Sequence, residues 1–164
     1  QIGDAMSKIT IMGDTIIAQA GALMSQVAKA AMEASLPGLE FASGIPGTIG
    51  GGVVMNAGAY DGEMKQVIES VTVLFPGEGV REIPCEGMDF SYRHSLLSDH
   101  PEAVVLAAAF RLKSGDPEQI REKMQEVTNL KKGITPIEQP EIVKVPTTKA
   151  AARAKLDIAV DDDE

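Results

Sequence analysis

Tryptophan is absent from the 164 residues, and only four Phe and two Tyr are present. A core built from this chain must therefore be mostly aliphatic, with Met filling its gaps. Cysteine is reduced to one residue, Cys85, so no internal disulfide is available and a reducing compartment is the natural expectation. Basic residues are outnumbered, with 15 Lys and Arg against 24 Asp and Glu, for a formal charge of −9. Five of those acids fall in 157–164, which holds no base, so the rest of the chain carries only −4. The basic footprint that nucleic-acid binding requires is missing. Long apolar runs are missing too: the stretch from Ala103 to Phe110 is far too short to span a bilayer. Gln1-Ile2-Gly3-Asp4 does not open like a secretory leader. The expectations are no nucleic-acid partner, no membrane association and a cytoplasmic location.

What is present is the balance of a globular domain, 44% hydrophobic and 24% charged, in a chain long enough to bury a core. Short β-prone runs at Lys8–Met12 and Thr15–Ala20 flank Gly13-Asp14 and predict a hairpin. Leu23, Val27, Ala30, Ala31 and Ala34 share one face of a helix over about Ala22 to Ser35, which Pro37-Gly38 stops. Val67–Phe75 alternates as a strand, Pro76-Gly77-Glu78-Gly79 turns, and a shorter strand follows near Val80–Ile83. Ala103–Leu112 reads as a more buried strand. Asp116 is an N-cap, Pro117 occupies the first helical position, and Gln119 completes a capping box. Ile120, Met124, Val127 and Leu130 or Lys131 supply that helix's apolar face, and Gly133 closes it. Strand–helix alternation is not sustained, so the expected class is α+β, an antiparallel sheet flanked by helices.

Six glycines fall between Gly44 and Gly58. Glycine allows close backbone approach and positive φ, so successive N–H groups can converge on an anion. A short helix over about Thr48 to Met55 would add its dipole. A tight turn with close helix–strand packing is the competing reading, and composition leaves both open. No Lys-Ser/Thr follows, so this is not a Walker motif, and Gly-x-Gly-x-x-Gly is not matched. His94 and His100 have no metal-ligand spacing with other donors, and no metal site is expected. Cys85 has no basic cluster near it in sequence and reads as a small buried hydrophobe.

Gly38-Leu39-Glu40-Phe41-Ala42-Ser43-Gly44-Ile45-Pro46-Gly47-Thr48-Ile49-Gly50-Gly51, then Met55-Asn56-Ala57-Gly58-Ala59-Tyr60 and Gly62-Glu63, form one distinctive block. A second is Tyr92-Arg93-His94-Ser95-Leu96-Leu97, followed by Val104-Val105-Leu106, Phe110-Arg111-Leu112 and Gly115-Asp116-Pro117. Together they resemble the UDP-N-acetylenolpyruvoylglucosamine reductase family of bacterial peptidoglycan synthesis. The resemblance runs from about Ser7 to Pro140. It implies an FAD-binding subdomain of the vanillyl-alcohol-oxidase type over 1–134, a hinge remnant at 135–146, and a short helix with an acidic tail over 147–164. It implies FAD as cofactor, NADPH as co-substrate, and UDP-N-acetylglucosamine enolpyruvate as substrate.

The same resemblance assigns roles. Ser43, Gly44, Ile45, Pro46, Gly47, Thr48, Gly50 and Gly51 match the segment along the FAD pyrophosphate, with Ser43 and Thr48 offering hydroxyls to phosphate oxygens. Local helix capping is the alternative for those two. In the family reaction a hydride passes from NADPH to the flavin and then to the enolpyruvyl β-carbon. Arg93 matches the guanidinium that stabilises charge developing on the carboxylate side of the substrate. Tyr60 and Tyr92 match substrate-side tyrosines, with Tyr60 equally readable as an amphipathic rim residue. For Arg93 the alternative is a surface ion pair.

The match is incomplete. The family's first FAD half-domain, with its Gly-Gly-Gly-Ser-Asn type loop, has no counterpart. After the hinge, Lys144 stands where the family has its proton-donating Ser, and the late catalytic Glu is not found. The expectation is a partial reductase, weakly active or inactive alone, with surface left for self-association. The alternative is a non-catalytic FAD- or nucleotide-binding or interaction module.

Overall fold

The computed structural model describes residues 4–133, one compact unit. The expected hinge at 135–146, the short helix and acidic tail of 147–164, and Lys144 lie outside the described residues.

After a 3-10 turn at Asp4–Met6 come two short strands, β1 (Ile9–Met12) and β2 (Thr15–Gln19). They pair antiparallel around Gly13, whose φ of +59° suits the tight turn. Helix α1 (Met24–Glu33) follows. Its buried face is Met24, Val27, Ala28 and Ala31, which shares Val27 and Ala31 with the stripe expected from the sequence but has Met24 and Ala28 in place of Leu23, Ala30 and Ala34. Leu23 is the N-cap and is 44% exposed, because it lies beside Thr48 in an isolated antiparallel bridge instead of facing the core. A 3-10 helix at Glu40–Gly44 leads to α2 (Ile49–Val54), the short helix expected within the Gly-rich segment.

A two-stranded hairpin comes next, β3 (Gly58–Ala59) and β4 (Gly62–Glu63). Then β5 (Ile68–Phe75) and β6 (Gly79–Pro84) pair antiparallel across the Pro76–Glu78 turn, where the Glu78 amide donates to the Phe75 carbonyl at 3.0 Å. Strand β7 (Val104–Arg111) pairs antiparallel with both β2 and β5. The five-stranded order is β1-β2-β7-β5-β6, antiparallel throughout. Helix α3 (Pro117–Gly133) ends the described chain. The fold is α+β.

Strand β7 is central, which explains why its sequence is so apolar: Val105, Ala108 and Phe110 are buried. Strand β5 buries Ile68, Val71, Val73 and Phe75, with a bulge between Ile68 and Ser70. The edge strands are short or exposed; β6 is almost wholly solvated, which limits edge-to-edge pairing. Asp116 caps α3 through one bond, its Oδ1 accepting the Glu118 amide at 2.9 Å. The reciprocal bond expected from Gln119 is not made among the described residues. Ile120 and Val127 are buried as the periodicity predicts, but Leu130 is 50% exposed. Helices α1 and α3 both pack on the 3-10 segment Glu40–Gly44, and α2 lies against β7 and β2. The Gly-rich segment is thus clamped between the helices and the sheet.

Candidate functional site

The segment at 44–52 is fixed by backbone pairing with residues 20–24. The Gly50 amide donates to the Ala20 carbonyl (2.9 Å), the Ile49 amide to Ala22 (2.8 Å), and the Met24 amide to Gly47 (3.0 Å). Thr48 is the N-cap of α2, its Oγ1 accepting a long bond from the Gly51 amide at 3.4 Å. Gly52 donates to the Thr48 carbonyl at 2.9 Å. The amides of Ile49, Gly50 and Gly52 are therefore committed inside the protein. Those of Gly47 and Thr48 have no hydrogen-bond partner among the described residues.

The glycines divide by what surrounds them. A Cβ on Gly52 would lie 2.6 Å from Met24 Sδ, one on Gly50 3.1 Å from Ala20 Cβ, and one on Gly58 2.9 Å from Glu63 Cβ. At Gly44 it would meet Tyr60 Cε2 at 2.8 Å and Val127 Cγ1 at 2.9 Å. These four are packing glycines. Gly47 has φ +128° and nothing within 4 Å of such a Cβ, while at Gly51 only Thr48 Oγ1 comes within that range, at 3.6 Å. Of the six, Gly47 and Gly51 are the two whose backbone is left bare. A groove of about 490 Å³ opens over Gly50 and Gly51, floored by Ala20, Val54 and Met55 and walled by Ala103, Val104 and Val105.

Ser43 donates its hydroxyl to the Glu40 carbonyl at 2.6 Å, and Glu40, buried, accepts the Gly38 amide at 2.8 Å. The hydroxyls of Ser43 and Thr48 thus each make a local, helix-terminal bond. Ile45 is half-buried and Pro46 exposed.

A second pocket, about 260 Å³, gathers residues far apart in sequence: Asn56, Tyr60, Asp61 and Glu63 from the β3–β4 region, with Tyr92 and Arg93. Four of these adopt left-handed backbone: Asn56 (φ 43°), Tyr60 (51°), Asp61 (64°) and Arg93 (51°). Such conformations are uncommon outside Gly and cluster where a side chain must be aimed. Tyr60 and Asp61 are the two central residues of the β3–β4 turn. Tyr92 and Arg93 form a second tight turn, closed by Ser91 and His94, which exchange backbone bonds of 3.1 and 3.2 Å.

Arg93 lies over the Tyr92 ring, Cζ 5.6 Å from the centroid. It makes no ion pair among the described residues, unlike Arg111, which pairs with Glu69. The surface-ion-pair reading of Arg93 therefore fails within the described chain. Tyr92 is 88% exposed and Tyr60 half-buried, its ring over Gly44. The Gly-rich segment and the Tyr60–Arg93 pocket are consequently neighbours through the Gly44–Tyr60 contact.

Asn56 and Ser95 were not singled out by sequence, yet they build this pocket. Both are buried. Asn56 Nδ2 donates to Glu63 Oε2 (3.1 Å) and to the Ser91 carbonyl (3.0 Å), while its Oδ1 accepts the Lys65 amide (3.0 Å). Ser95 Oγ donates to the Val54 carbonyl at 2.7 Å. The one available signal was Asn directly after an α2-length helix, the residue most tolerant of left-handed backbone after Gly.

Cys85 is half-buried, its thiol donating to the Lys65 carbonyl at 3.4 Å. Burial pushes that thiol's pKa up, the Glu86 carboxylate adds to the shift, and Lys65 opposes it. His94 and His100 pair separately, with Asp99 and Glu102 at 3.2 Å each. Among the described residues no group of three or more His, Cys, Asp or Glu side chains converges as metal ligands would. No helix there is long and apolar enough to cross a membrane.

This α+β fold with a Gly-rich groove is that of an FAD-binding domain: residues 4–83 match the family described as "FAD binding domain". Two reductases align with most of the sequence. Over 135 residues the chain is 44% identical to UDP-N-acetylenolpyruvoylglucosamine reductase of Pediococcus pentosaceus and 45% identical to that of Clostridium beijerinckii. Each match covers 82% of this chain, and 45% and 44% of the respective relative. The crystal structure of the Thermus caldophilus UDP-N-acetylenolpyruvylglucosamine reductase superposes with a TM-score of 0.66 at 36% identity, over 73% of this chain and 44% of that one. The chain belongs to the UDP-N-acetylenolpyruvoylglucosamine reductase family, and it spans a little under half the length of these relatives.

Proposed function

We propose that this chain is an FAD-binding unit of a reductase that uses NADPH to convert UDP-N-acetylglucosamine enolpyruvate to UDP-N-acetylmuramate. The observation that carries the reading is the convergence of Tyr60, Tyr92 and Arg93 in one pocket, joined to the Gly-rich segment through Gly44. The two open amides of Gly47 and Thr48, with bare backbone at Gly47 and Gly51, fit a phosphate group. The apolar groove over Gly50–Gly51 fits the flat remainder of a flavin nucleotide.

When bound, FAD supplies the hydride carrier between NADPH and the enolpyruvyl carbon. The residues of this chain do the rest of what the pocket allows. Arg93, with no ion pair among the described residues, holds the substrate carboxylate and stabilises the negative charge that builds there. Tyr60 and Tyr92 form apolar walls with a hydroxyl edge, orienting the sugar–enolpyruvyl group. Gly47 and Thr48 hold phosphate by backbone N–H, and the Thr48 hydroxyl keeps its proton for the same group, whereas the Ser43 proton reaches phosphate only by leaving the Glu40 carbonyl.

A second reading, a nucleotide-binding module without turnover, is favoured by one feature, Lys144 at the position of the family's proton-donating Ser. Titration of the purified chain with FAD, followed by flavin fluorescence, tests the shared part of both. NADPH oxidation that requires the enolpyruvyl substrate separates them. FAD binding without such oxidation supports the module; absence of FAD binding at high ligand concentration removes both readings.

A further inference from the structure

The Tyr92–Arg93 turn is short, exposed and strained, so something must hold it. Left-handed backbone at a residue as bulky as Arg costs on the order of 1 kcal/mol or more unless the surroundings impose it. Two side chains bracket the turn, and both tie it to the end of α2. On the entering side, the Ser91 carbonyl accepts from Asn56 Nδ2 at 3.0 Å. On the leaving side, Ser95 Oγ donates to the Val54 carbonyl at 2.7 Å. Asn56 makes two further bonds, to Glu63 Oε2 and from the Lys65 amide, that reach the β3–β4 hairpin carrying Tyr60. Its side chain, in a residue 3% exposed, thus uses both N–H groups and its carbonyl oxygen at once.

We infer that Asn56 is the positioning residue of this site: it sets the Arg93 turn against the Tyr60 hairpin and registers both to the Gly-rich helix. It lines the same pocket as Arg93 and Tyr60, and its three side-chain bonds all go to the segments that carry them, so it acts by setting their positions. Neither of its nearest relatives among side chains does this job. Asp matches Asn in size and tolerance of left-handed backbone, but it supplies no donor to Ser91 and sets a carboxylate against Glu63. A long amide such as Gln does not fit the enclosed space without displacing the hairpin.

The inference rests on Arg93 being the anion-facing group, but its test does not need turnover. Amide hydrogen exchange and Arg93 backbone NMR shifts are followed in the purified chain and in Asn56→Asp. The Ser91 and His94 amides, which close the turn, are expected to exchange about tenfold faster in the variant relative to β5 and β7 amides. The Arg93 shifts move away from left-handed values. A loss of stability alone would instead speed sheet and turn amides by the same factor, and that result overturns the assignment, as does an unchanged turn. Should the variant not fold, the unaltered chain still decides: the Asn56 side-chain N–H₂ must exchange far more slowly than that of the exposed Asn129. Equal rates overturn the proposal. Failure of the reductase reading, by contrast, appears only in the flavin titration, so the two fail separately.

Discussion

Gly51 and Gly52 are neighbours in α2, yet an added methyl group meets opposite surroundings at each. At Gly51 it enters open space, so Gly51→Ala gains the usual helix preference of about 0.5–1 kcal/mol. Gly52→Ala drives a methyl into Met24 and Met64 and loses about 1–3 kcal/mol to overpacking, partly offset by that same preference. Thermal unfolding of the two variants is expected to move in opposite directions. The stabilised Gly51→Ala is nonetheless expected to bind FAD about tenfold more weakly, since its methyl stands where the ligand approaches. None of this division was legible in the sequence. Six closely spaced glycines say that backbone is approached closely, but whether by a methionine or by a ligand depends on side chains elsewhere in the chain, such as Met24 against Gly52. Cys85 is the opposite case, read as an inert small residue and found half-buried. Because burial and Glu86 raise its pKa, little thiolate is present at neutral pH. Alkylation with iodoacetamide is expected to be slower at pH 7 than for a free cysteine and to rise with pH beyond the ordinary thiol range, as mass spectrometry would show.

At the scale of elements, local signals were read correctly where turn chemistry decides the outcome. The Gly13-Asp14 and Pro76–Gly79 turns, the Pro37-Gly38 stop and the Asp116-Pro117 start all depend on residues within a few positions. Helix faces were read less well. The expected stripe on α1 included Leu23, which instead faces outward because residues 20–24 are claimed by pairing with 47–50. On α3 the periodicity extends to Leu130, but the described residues leave it half exposed. Substitution therefore separates periodicity from packing on α3: Leu130→Gln is expected to alter stability by no more than about 0.5 kcal/mol. Ile120→Ala is expected to cost about 2–5 kcal/mol, both read from urea midpoints.

For the molecule as a whole, the decisive element is β7, the last strand in sequence and the middle one in space. Its place was not legible, since composition marks it as buried without saying between which neighbours. Phe110 sits opposite both Ile16 and Ile68, so it joins the β1–β2 hairpin to the β5–β6 hairpin. Phe110→Ala is expected to cost about 3–5 kcal/mol, a large part of the stability of a typical domain. Loss should appear as one transition in circular dichroism, because neither hairpin keeps a sheet partner without β7. A different link runs between the Gly-rich segment, the Arg93 pocket and α3, where Gly44 lies beneath the Tyr60 ring and against Val127. Three positions share that space, so none can change size alone. Across homologous chains this sets an exchange rule: a side chain gained at 44 must be matched by one lost at 60 or 127, and the aromatic ring persists only as long as its floor stays empty.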